Sequence, residues 1–166
     1  MHLSPNDAVF IIFKNKATKT SVTLTSPTVK QLMTVDGNWK VDFQKGRGAP
    51  ATAAFDKLAS FTENTDAGIK YFSGTATYTK IITANANWFA KDTQLWINLG
   101  DVKNLAEVTV NGKSLGVVWK EPFSVDVTSA LKPGANTLAI KITNLWVNRL
   151  IGDAQPGVTN KITYTT

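Results

Sequence analysis

Apolar and polar residues alternate with a period of two through much of the chain after residue 70. The alternation is clearest in residues 75–81, 95–99 and 137–143. Because successive side chains of a strand point to opposite faces, this pattern predicts β-strands with one buried face. Residues 39–43 predict a further strand, since Trp39, Val41 and Phe43 share one face.

Turn residues separate these strands at short intervals. Asn111-Gly112 lies between two apolar runs and predicts a type I′ hairpin, in which both central residues need a positive φ. Residues 132–136 contain Pro-Gly and predict a second turn, between strands 124–127 and 137–143. Short strands at spacings of roughly 8 to 12 residues, without a long helical period, indicate an all-β fold, an antiparallel β-sandwich.

The chain before residue 70 is less regular. We predict strands at Val9 to Phe13 and Ser21 to Thr25, and a short helical turn within Ala51 to Leu58. Residues 64–68 are predicted to be a loop. We assign residues 1–34 to the terminal strands of a preceding domain or an edge hairpin, and residues 35–166 to a jelly-roll sandwich.

Composition narrows the chemistry that this chain could perform. It has 166 residues, no Cys and a single His at position 2, so thiolate chemistry, a Ser-His-Asp triad, a facial iron triad and a three-histidine zinc site are excluded. No dense carboxylate loop indicates Ca²⁺, although a structural Ca²⁺ is compatible with such folds, and no cofactor is predicted. The net charge of +6 is scattered along the chain, which is typical of solvated strand faces. No apolar run approaches the roughly 20 residues of a membrane span.

Paired carboxylates are the remaining route to hydrolysis. A glycosidase needs two of them, about 5 to 10 Å apart across a sugar-sized cleft. The acidic residues here fall in turn settings such as Asp36 and Asp66, or on a solvated strand face such as Asp126. We therefore predict no catalytic residue and no metal site in this chain.

Four motifs occur in order, in residues 68–78, 99–116, 118–128 and 144–153. The first contains Tyr-Phe-Ser-Gly, the second reads L-G-x-V-x-x-x-A-x-V-x-V-N-G-x-x-L-G, and the last reads N-x-W-x-N-R-x-I-G-D. Together they resemble the C-terminal galactose-binding-like jelly roll of large glycoside hydrolases. The last motif most resembles the α-L-rhamnosidase-type enzymes of glycoside hydrolase family 106, and the β-galactosidase and β-glucuronidase group is similar more loosely.

This resemblance carries expectations about function. It implies an accessory domain of a much longer secreted or periplasmic enzyme of polysaccharide degradation, whose catalytic glutamates lie on a separate barrel domain. No catalytic role therefore carries over to any residue of this chain. Residues 9–14 also resemble the strand that precedes the module in those enzymes.

Three groups of residues are candidates for carbohydrate or interdomain contacts. Trp119 beside Lys120 could stack on a sugar ring, although we expect Trp119 to pack in the core or against a neighbouring domain. The second group is Trp146, Asn148, Arg149 and Asp153. If residues 145–152 form a helical turn, Arg149 and Asp153 could pair as a clasp, and we favour a clasp or an interdomain contact over sugar binding.

Three further tryptophans remain. Trp88, in a predicted loop, is the third candidate, whereas Trp39 and Trp96 lie within strand patterns and are predicted to be core or sheet-face residues.

Three functions follow from these observations. The first is a non-catalytic accessory domain that packs on the catalytic domain of a glycosidase or contributes to its substrate cleft. The second is an autonomous carbohydrate-binding module that uses Trp88, Trp119 or Trp146 as platforms. The third is a nucleic-acid binder, which we disfavour because the basic residues do not interleave with the aromatic ones on any strand. No membrane partner is predicted.

Overall fold

The computed structural model describes residues 7–23 and 27–164 and divides the chain into two units, Met1–Thr34 and Val35–Thr166. The described residues of the first unit contain no helix or strand, and Phe10 and Phe13 are almost fully exposed. The predicted strand at 9–13 is therefore wrong. Of the predicted strand at 21–25, residues 21–23 are not a strand, and 24 and 25 lie outside the described residues. An apolar run becomes a strand only when another strand pairs with it, and none does within the described part of this unit.

The second unit consists of short antiparallel strands with two short α-helices. The strands are β1 (Trp39–Phe43), β2 (Thr52–Phe55), β3 (Thr75–Ala84), β4 (Trp96–Asn98), β5 (Leu105–Val110), β6 (Lys113–Val118), β7 (Ser124–Asp126) and β8 (Gly134–Thr143). The α-helices are α1 (Ala67–Lys70) and α2 (Val147–Asp153), and single 3₁₀ turns span Phe61–Glu63 and Ala86–Trp88. One sheet has the order β2-β1-β3-β8-β5-β6, and the second pairs β4 with β7. The predicted antiparallel β-sandwich is confirmed.

The centre of the large sheet is the ten-residue ladder between β3 and β8. It runs from the pair Thr75–Thr143 to the pair Ala84–Gly134, and β5 continues the sheet on the far side of β8. The β5–β6 hairpin turns at Asn111 and Gly112, whose φ values are 51° and 81°. The predicted hairpin turn, with a positive φ at both central residues, is therefore confirmed.

Two predictions for residues 51–68 are wrong. The predicted helical turn within Ala51 to Leu58 is strand β2, because Thr52 to Phe55 pair with β1, and this pairing overrides the helical propensity of the alanines. The predicted loop at 64–68 instead contains the start of α1. Asp66 caps this helix by accepting hydrogen bonds from Gly68 N and Ile69 N at 2.7 and 3.2 Å.

The inner faces of both sheets meet in one hydrophobic core, which contains the buried residues Val41, Val108, Leu138, Val125 and Val127. Its aromatic part is a continuous set of ring contacts among Trp39, Phe43, Phe55, Phe61, Phe72 and Tyr78. Burial raises the pKa of the Tyr78 hydroxyl in this cluster. The core thus packs against β3 and β8 at the end of the sandwich where β3 begins and β8 ends.

Candidate functional site at one end of the sandwich

The first and last sequence motifs meet where β3 begins and β8 ends. The Asn144 side chain joins them, since its Nδ2 donates to Phe72 O at 2.9 Å and its Oδ1 accepts from Gly74 N at 2.8 Å. The Asn144 backbone N also donates to Gly74 O at 3.2 Å. Three hydrogen bonds therefore fix the chain segments on both sides of the central ladder.

Helix α2 begins directly after this junction. Its own N-cap residue, Trp146, makes no side-chain capping bond. Instead the buried Ser73 hydroxyl accepts a hydrogen bond from Arg149 N at 2.9 Å. A residue 76 positions earlier thus satisfies one of the free N–H groups of the first turn and anchors the helix to the sheet.

Arg149 and Asp153 form a buried ion pair on the inner side of α2. Arg149 Nη2 lies 3.0 Å from Asp153 Oδ1, and both side chains are less than a tenth exposed. Asp153 Oδ2 accepts three further hydrogen bonds, from Ile162 N, Thr163 N and Thr163 Oγ1, at 3.0, 2.7 and 2.7 Å. The predicted helical turn and the predicted pairing of these two residues are confirmed.

Two glycines make room for this clasp. A Cβ added at Gly152 would lie 2.5 Å from both Tyr71 Cβ and Arg149 Nη2. A Cβ added at Gly48 would lie 2.7 Å from Arg149 Nη1, and Gly48 also has a φ of +87°. The guanidinium is therefore enclosed by backbone that only glycine can supply.

Replacing Gly48 with Ala is expected to destabilise the fold more than the same change at Gly46. Both residues have a positive φ, which costs an alanine about 1–2 kcal/mol, but the space around Gly46 is open. At Gly48 the new methyl group also displaces Arg149, which the ion pair holds in place, at an additional cost of about 1–3 kcal/mol. Urea unfolding of both variants checks this difference, and equal losses would contradict the enclosure of Arg149.

The environment of Asp153 makes the stability of the clasp depend on pH. Burial alone would raise the pKa of this carboxyl, but the hydrogen bonds from Thr163 and Ile162 and the charge of Arg149 outweigh it and hold the pKa below the usual value of 3.8. A lowered pKa in the folded state stabilises the protein above the pKa of the unfolded chain. That stabilisation is lost as the pH falls through the pKa of the folded state.

The stability difference between the wild type and Asp153→Asn should therefore shrink in acid. We expect the wild type to be the more stable protein at pH 7, and the difference to decrease once the pH falls below about 3.8. Denaturant unfolding of both proteins at a series of pH values measures this. A difference that stays constant down to pH 2 would contradict the lowered pKa.

The remaining candidates of the last motif, Trp146 and Asn148, are more exposed than the Arg149–Asp153 pair. Trp146 is 44% exposed, and the Arg47 guanidinium carbon lies 4.3 Å from the centroid of its ring. This distance is typical of a cation–π contact. Asn148 is half-buried.

Trp119 lies at the same end of the large sheet. It follows β6, whose last residue, Val118, pairs with Ala106 at the start of β5. Because β5 separates β6 from β8, Trp119 is about 10 Å from the end of β8, measured across the strands. Trp119 is 64% exposed and therefore does not pack in the core, and its packing against a neighbouring domain stays a prediction. Lys120 beside it is half-buried. Strand β6 ends at Val118, so the alternation of inward and outward side chains along the strand does not predict the direction of the Trp119 side chain.

Trp88 is not part of this group. It ends the 3₁₀ turn Ala86–Trp88 beyond the far end of β3 and packs against the core, so its predicted loop setting is wrong. Ten residues of strand, about 30 Å, separate that end of β3 from Thr75. Trp39 is in the core and Trp96 is on an exposed sheet face, as predicted.

An open groove of about 570 Å³ crosses the outer face of the large sheet near the same end. Its lining residues are Asp42, Phe43, Gln44, Thr75, Thr77, Leu105, Glu107, Val117, Lys141 and Thr143. Within it Lys141 Nζ lies 3.2 Å from Glu107 Oε2, and the hydroxyls of Thr75 and Thr143 are 2.8 Å apart. Sequence reasoning missed this groove, because only the register of five strands brings these positions together.

The groove contains two carboxylates that do not form a hydrolytic pair. The register aligns Asp42, Thr77, Lys141 and Glu107 in one row across four strands. Three strand spacings separate the outer two backbones by about 14 Å, and Lys141, which pairs with Glu107, stands in the row between them. The hydrogen bonds from Thr52 and Lys40 lower the pKa of Asp42, which is the opposite of what a general acid requires.

Residues 7–23 and 27–164, which the structure describes, contain no group of three or more His, Cys, Asp or Glu residues that could hold a metal ion. None of their helices has the length and apolarity needed to cross a membrane.

Comparison with known proteins gives a consistent result. Residues 56–162 match the family model described as glycosyl hydrolase 2 galactose-binding domain-like. The chain is 42% identical over 141 residues to a protein of Formosa agariphila named "Putative beta-glucuronidase", covering 85% of this chain and 12% of that protein.

Solved structures show the same relationship. A rhamnosidase from Novosphingobium sp. PP1Y is 42% identical, with a TM-score of 0.84 over 89% of this chain and 14% of that enzyme. A β-glucuronidase from Ruminococcus gnavus shares the fold, at 24% identity and a TM-score of 0.56 over 66% of this chain and 20% of that enzyme. The chain therefore spans about one eighth to one fifth of the proteins that it matches.

Proposed function

Because the chain belongs to the family of galactose-binding-like domains of glycosyl hydrolase 2, we propose that it is a non-catalytic accessory domain of a large glycoside hydrolase. The observation that carries this proposal is the 42% identity to a rhamnosidase of which the chain matches 14%. The proposal includes an α-L-rhamnosidase-like parent that is secreted or periplasmic and degrades polysaccharides. Within it the domain packs on the catalytic domain or contributes to the substrate cleft.

The geometry of the chain supports a role in shape more than in chemistry. Asn144, Arg149 and Asp153 of the last sequence motif anchor α2 to the rest of the domain. The two ionised groups of that motif, Arg149 and Asp153, are paired with each other. The backbones of Asp42 and Glu107 are about 14 Å apart across the strands, and each carboxylate contacts a lysine. Such groups are suited to holding a rigid surface in place.

The test is to compare the parent polypeptide with and without residues 35–166. We expect the shortened enzyme to lose thermal stability and to turn over aryl glycosides more slowly, because a surface that the domain covers becomes exposed. The position of the deletion is matched to the boundary between the two units, so that the second unit is removed whole. Full stability together with full turnover in the shortened enzyme would show the proposal to be wrong.

Carbohydrate binding by the domain itself is the second candidate function. The observation that favours it is the exposed Trp119 at the same end of the sheet as a groove lined by threonine hydroxyls, an amide and charged groups. Sugar rings offer both an apolar face for stacking and hydroxyls for hydrogen bonding.

Titration of the chain with rhamnose- and galactose-containing oligosaccharides, followed by tryptophan fluorescence, tests this second function. Binding that Trp119→Ala abolishes would support it. No spectral change at millimolar sugar, or a change that Trp119→Ala leaves intact, would count against it.

A further inference from the structure

Helix α2 exposes its apolar side and buries its charged side. Val147, Leu150 and Ile151 occupy positions i, i+3 and i+4 and are all exposed, whereas Arg149 and Asp153 on the opposite side are buried. A helix on the surface of a globular domain normally buries its apolar stripe and exposes its charges. Here the charged side faces the domain and the apolar side faces outward.

The contacts of α2 with the rest of the domain prevent the helix from rotating about its axis. Two of its residues are hydrogen-bonded to other parts of the chain, since Arg149 N donates to the Ser73 hydroxyl and Asp153 Oδ2 accepts from Ile162 N and Thr163 N. Gly152 lies so close to Tyr71 that even a Cβ would not fit between them. The outward direction of the apolar side is therefore built into the fold.

The apolar surface extends beyond the helix itself. We call it the α2 apolar face and define it by five residues that are 39–60% exposed, namely Leu145, Trp146, Val147, Leu150 and Ile151. Single exposed apolar residues are common, but a contiguous run of this kind marks an interaction site. Arg47, stacked on Trp146, adds one positive charge at its rim.

The size of this face indicates what kind of partner covers it. Five half-exposed side chains offer roughly half of the about 800 Å² per partner that a stable complex between separate molecules buries. A small contact is sufficient when the two surfaces belong to one polypeptide, because the linkage makes the effective concentration of the partner high. The matched relatives are about seven to eight times longer than the matched segment, so they have such additional polypeptide.

We propose that the α2 apolar face docks against another domain of the same longer polypeptide, on an apolar surface that presents a carboxylate to Arg47. This inference rests on the proposed accessory function and adds the surface through which it operates. The buried Arg149–Asp153 pair then has a positioning role, since its burial and the hydrogen bonds of Asp153 to residues 162 and 163 hold the apolar side of α2 toward the neighbouring domain.

The absence of cysteine from the chain allows a direct test. A cysteine is introduced on the α2 apolar face as Val147→Cys, and a matched cysteine is introduced as Ile81→Cys. Ile81 is likewise a β-branched apolar residue, 68% exposed on the outer face of β3 and away from α2. Each variant is prepared both as the 166-residue chain and within the longer polypeptide, and the rate of maleimide labelling at each site is read by peptide mass spectrometry.

We expect both cysteines to react quickly in the isolated chain, because the reaction requires only an accessible thiolate. In the longer polypeptide, labelling of Val147→Cys should slow by at least about tenfold, while Ile81→Cys should keep its rate. Equal labelling of Val147→Cys in both contexts would overturn the docking proposal. Slow labelling already in the isolated chain would also overturn it, and sedimentation would then show whether a second copy or the chain itself covers the face.

The deletion of residues 35–166 tests the accessory function, and the labelling experiment tests the docking surface, so either proposal can be wrong while the other stands. If the deletion impairs the parent enzyme while Val147→Cys stays reactive, the accessory function stands and the docking surface is wrong. If the deletion has no effect, the accessory function is wrong even where the labelling shows a protected contact.

Discussion

Replacing Asp153 with Ala is expected to lower the free energy of unfolding by about 3–5 kcal/mol. The substitution leaves the Arg149 guanidinium buried without its counter-charge. It also removes the acceptor of the hydrogen bonds from Ile162 N, Thr163 N and Thr163 Oγ1. Buried donors that lose their acceptor retain the full cost of desolvation, so the two effects add. Chemical unfolding followed by tryptophan fluorescence measures the loss.

The matched control for Asp153→Ala is the exposed ion pair of Glu107 and Lys141. Glu107→Ala is expected to cost less than about 1 kcal/mol, since water replaces a solvent-accessible partner at little cost. If Asp153→Ala proves as mild as Glu107→Ala, the ion pair does not hold α2 in place. The outward direction of the α2 apolar face would then need another cause.

Replacing Phe72 with Ala is expected to cost about 3–5 kcal/mol as well, for a different reason. Phe72 is fully buried, and its ring contacts Phe43 and Phe61 with centroid distances of 4.9 and 5.8 Å in edge-to-face geometry. Its removal leaves a cavity between α1, the 3₁₀ turn at 61–63 and the sheet. The carbonyl of Phe72 also accepts a hydrogen bond from Asn144 Nδ2, so relaxation around the cavity disturbs the contact between the start of β3 and the end of β8, from which α2 follows.

Trp119→Ala serves as the control for the loss of Phe72. Trp119 is a larger aromatic residue but is 64% exposed, and we expect its removal to change stability by no more than about 0.5 kcal/mol. Thermal unfolding of both variants provides the comparison. A large loss at Trp119 together with a small one at Phe72 would contradict the core as described.

Alternation of apolar and polar residues was enough to predict the strands that are buried on one face. It located β1, β3 and β8, and the need for a positive φ located the turn at Asn111 and Gly112. The i, i+4 spacing of Arg149 and Asp153 predicted their contact, because such spacing places two side chains on the same side of a helix. These features depend on residues that are close in sequence.

The incorrect predictions concern features that depend on distant partners. Strand β2 has the composition of a helical turn and is extended only because β1 pairs with it. Residues 9–13 have the composition of a strand but have no pairing partner among the described residues of their unit. Neither outcome can be read from the local pattern.

The candidate site was predicted in part for the same reason. The pairing within the last motif was accessible from the sequence, whereas its attachment to Ser73 and Gly48 requires the fold. The reversed polarity of α2 could not be anticipated, since apolar residues at helical spacing normally predict a buried face. The groove was missed because no single strand contains its polar residues.

The most direct test of the central claim, that this domain supplies shape and not chemistry, is an assay of the purified 166-residue chain. Its activity is measured on aryl α-L-rhamnosides, β-D-glucuronides and β-D-galactosides over long incubation. We expect no hydrolysis above the uncatalysed rate, because each carboxylate of the groove contacts a lysine and the pKa of Asp42 is lowered, so neither group is set up as a general acid. Turnover of any of these substrates that Asp42→Asn or Glu107→Gln abolishes would contradict the claim.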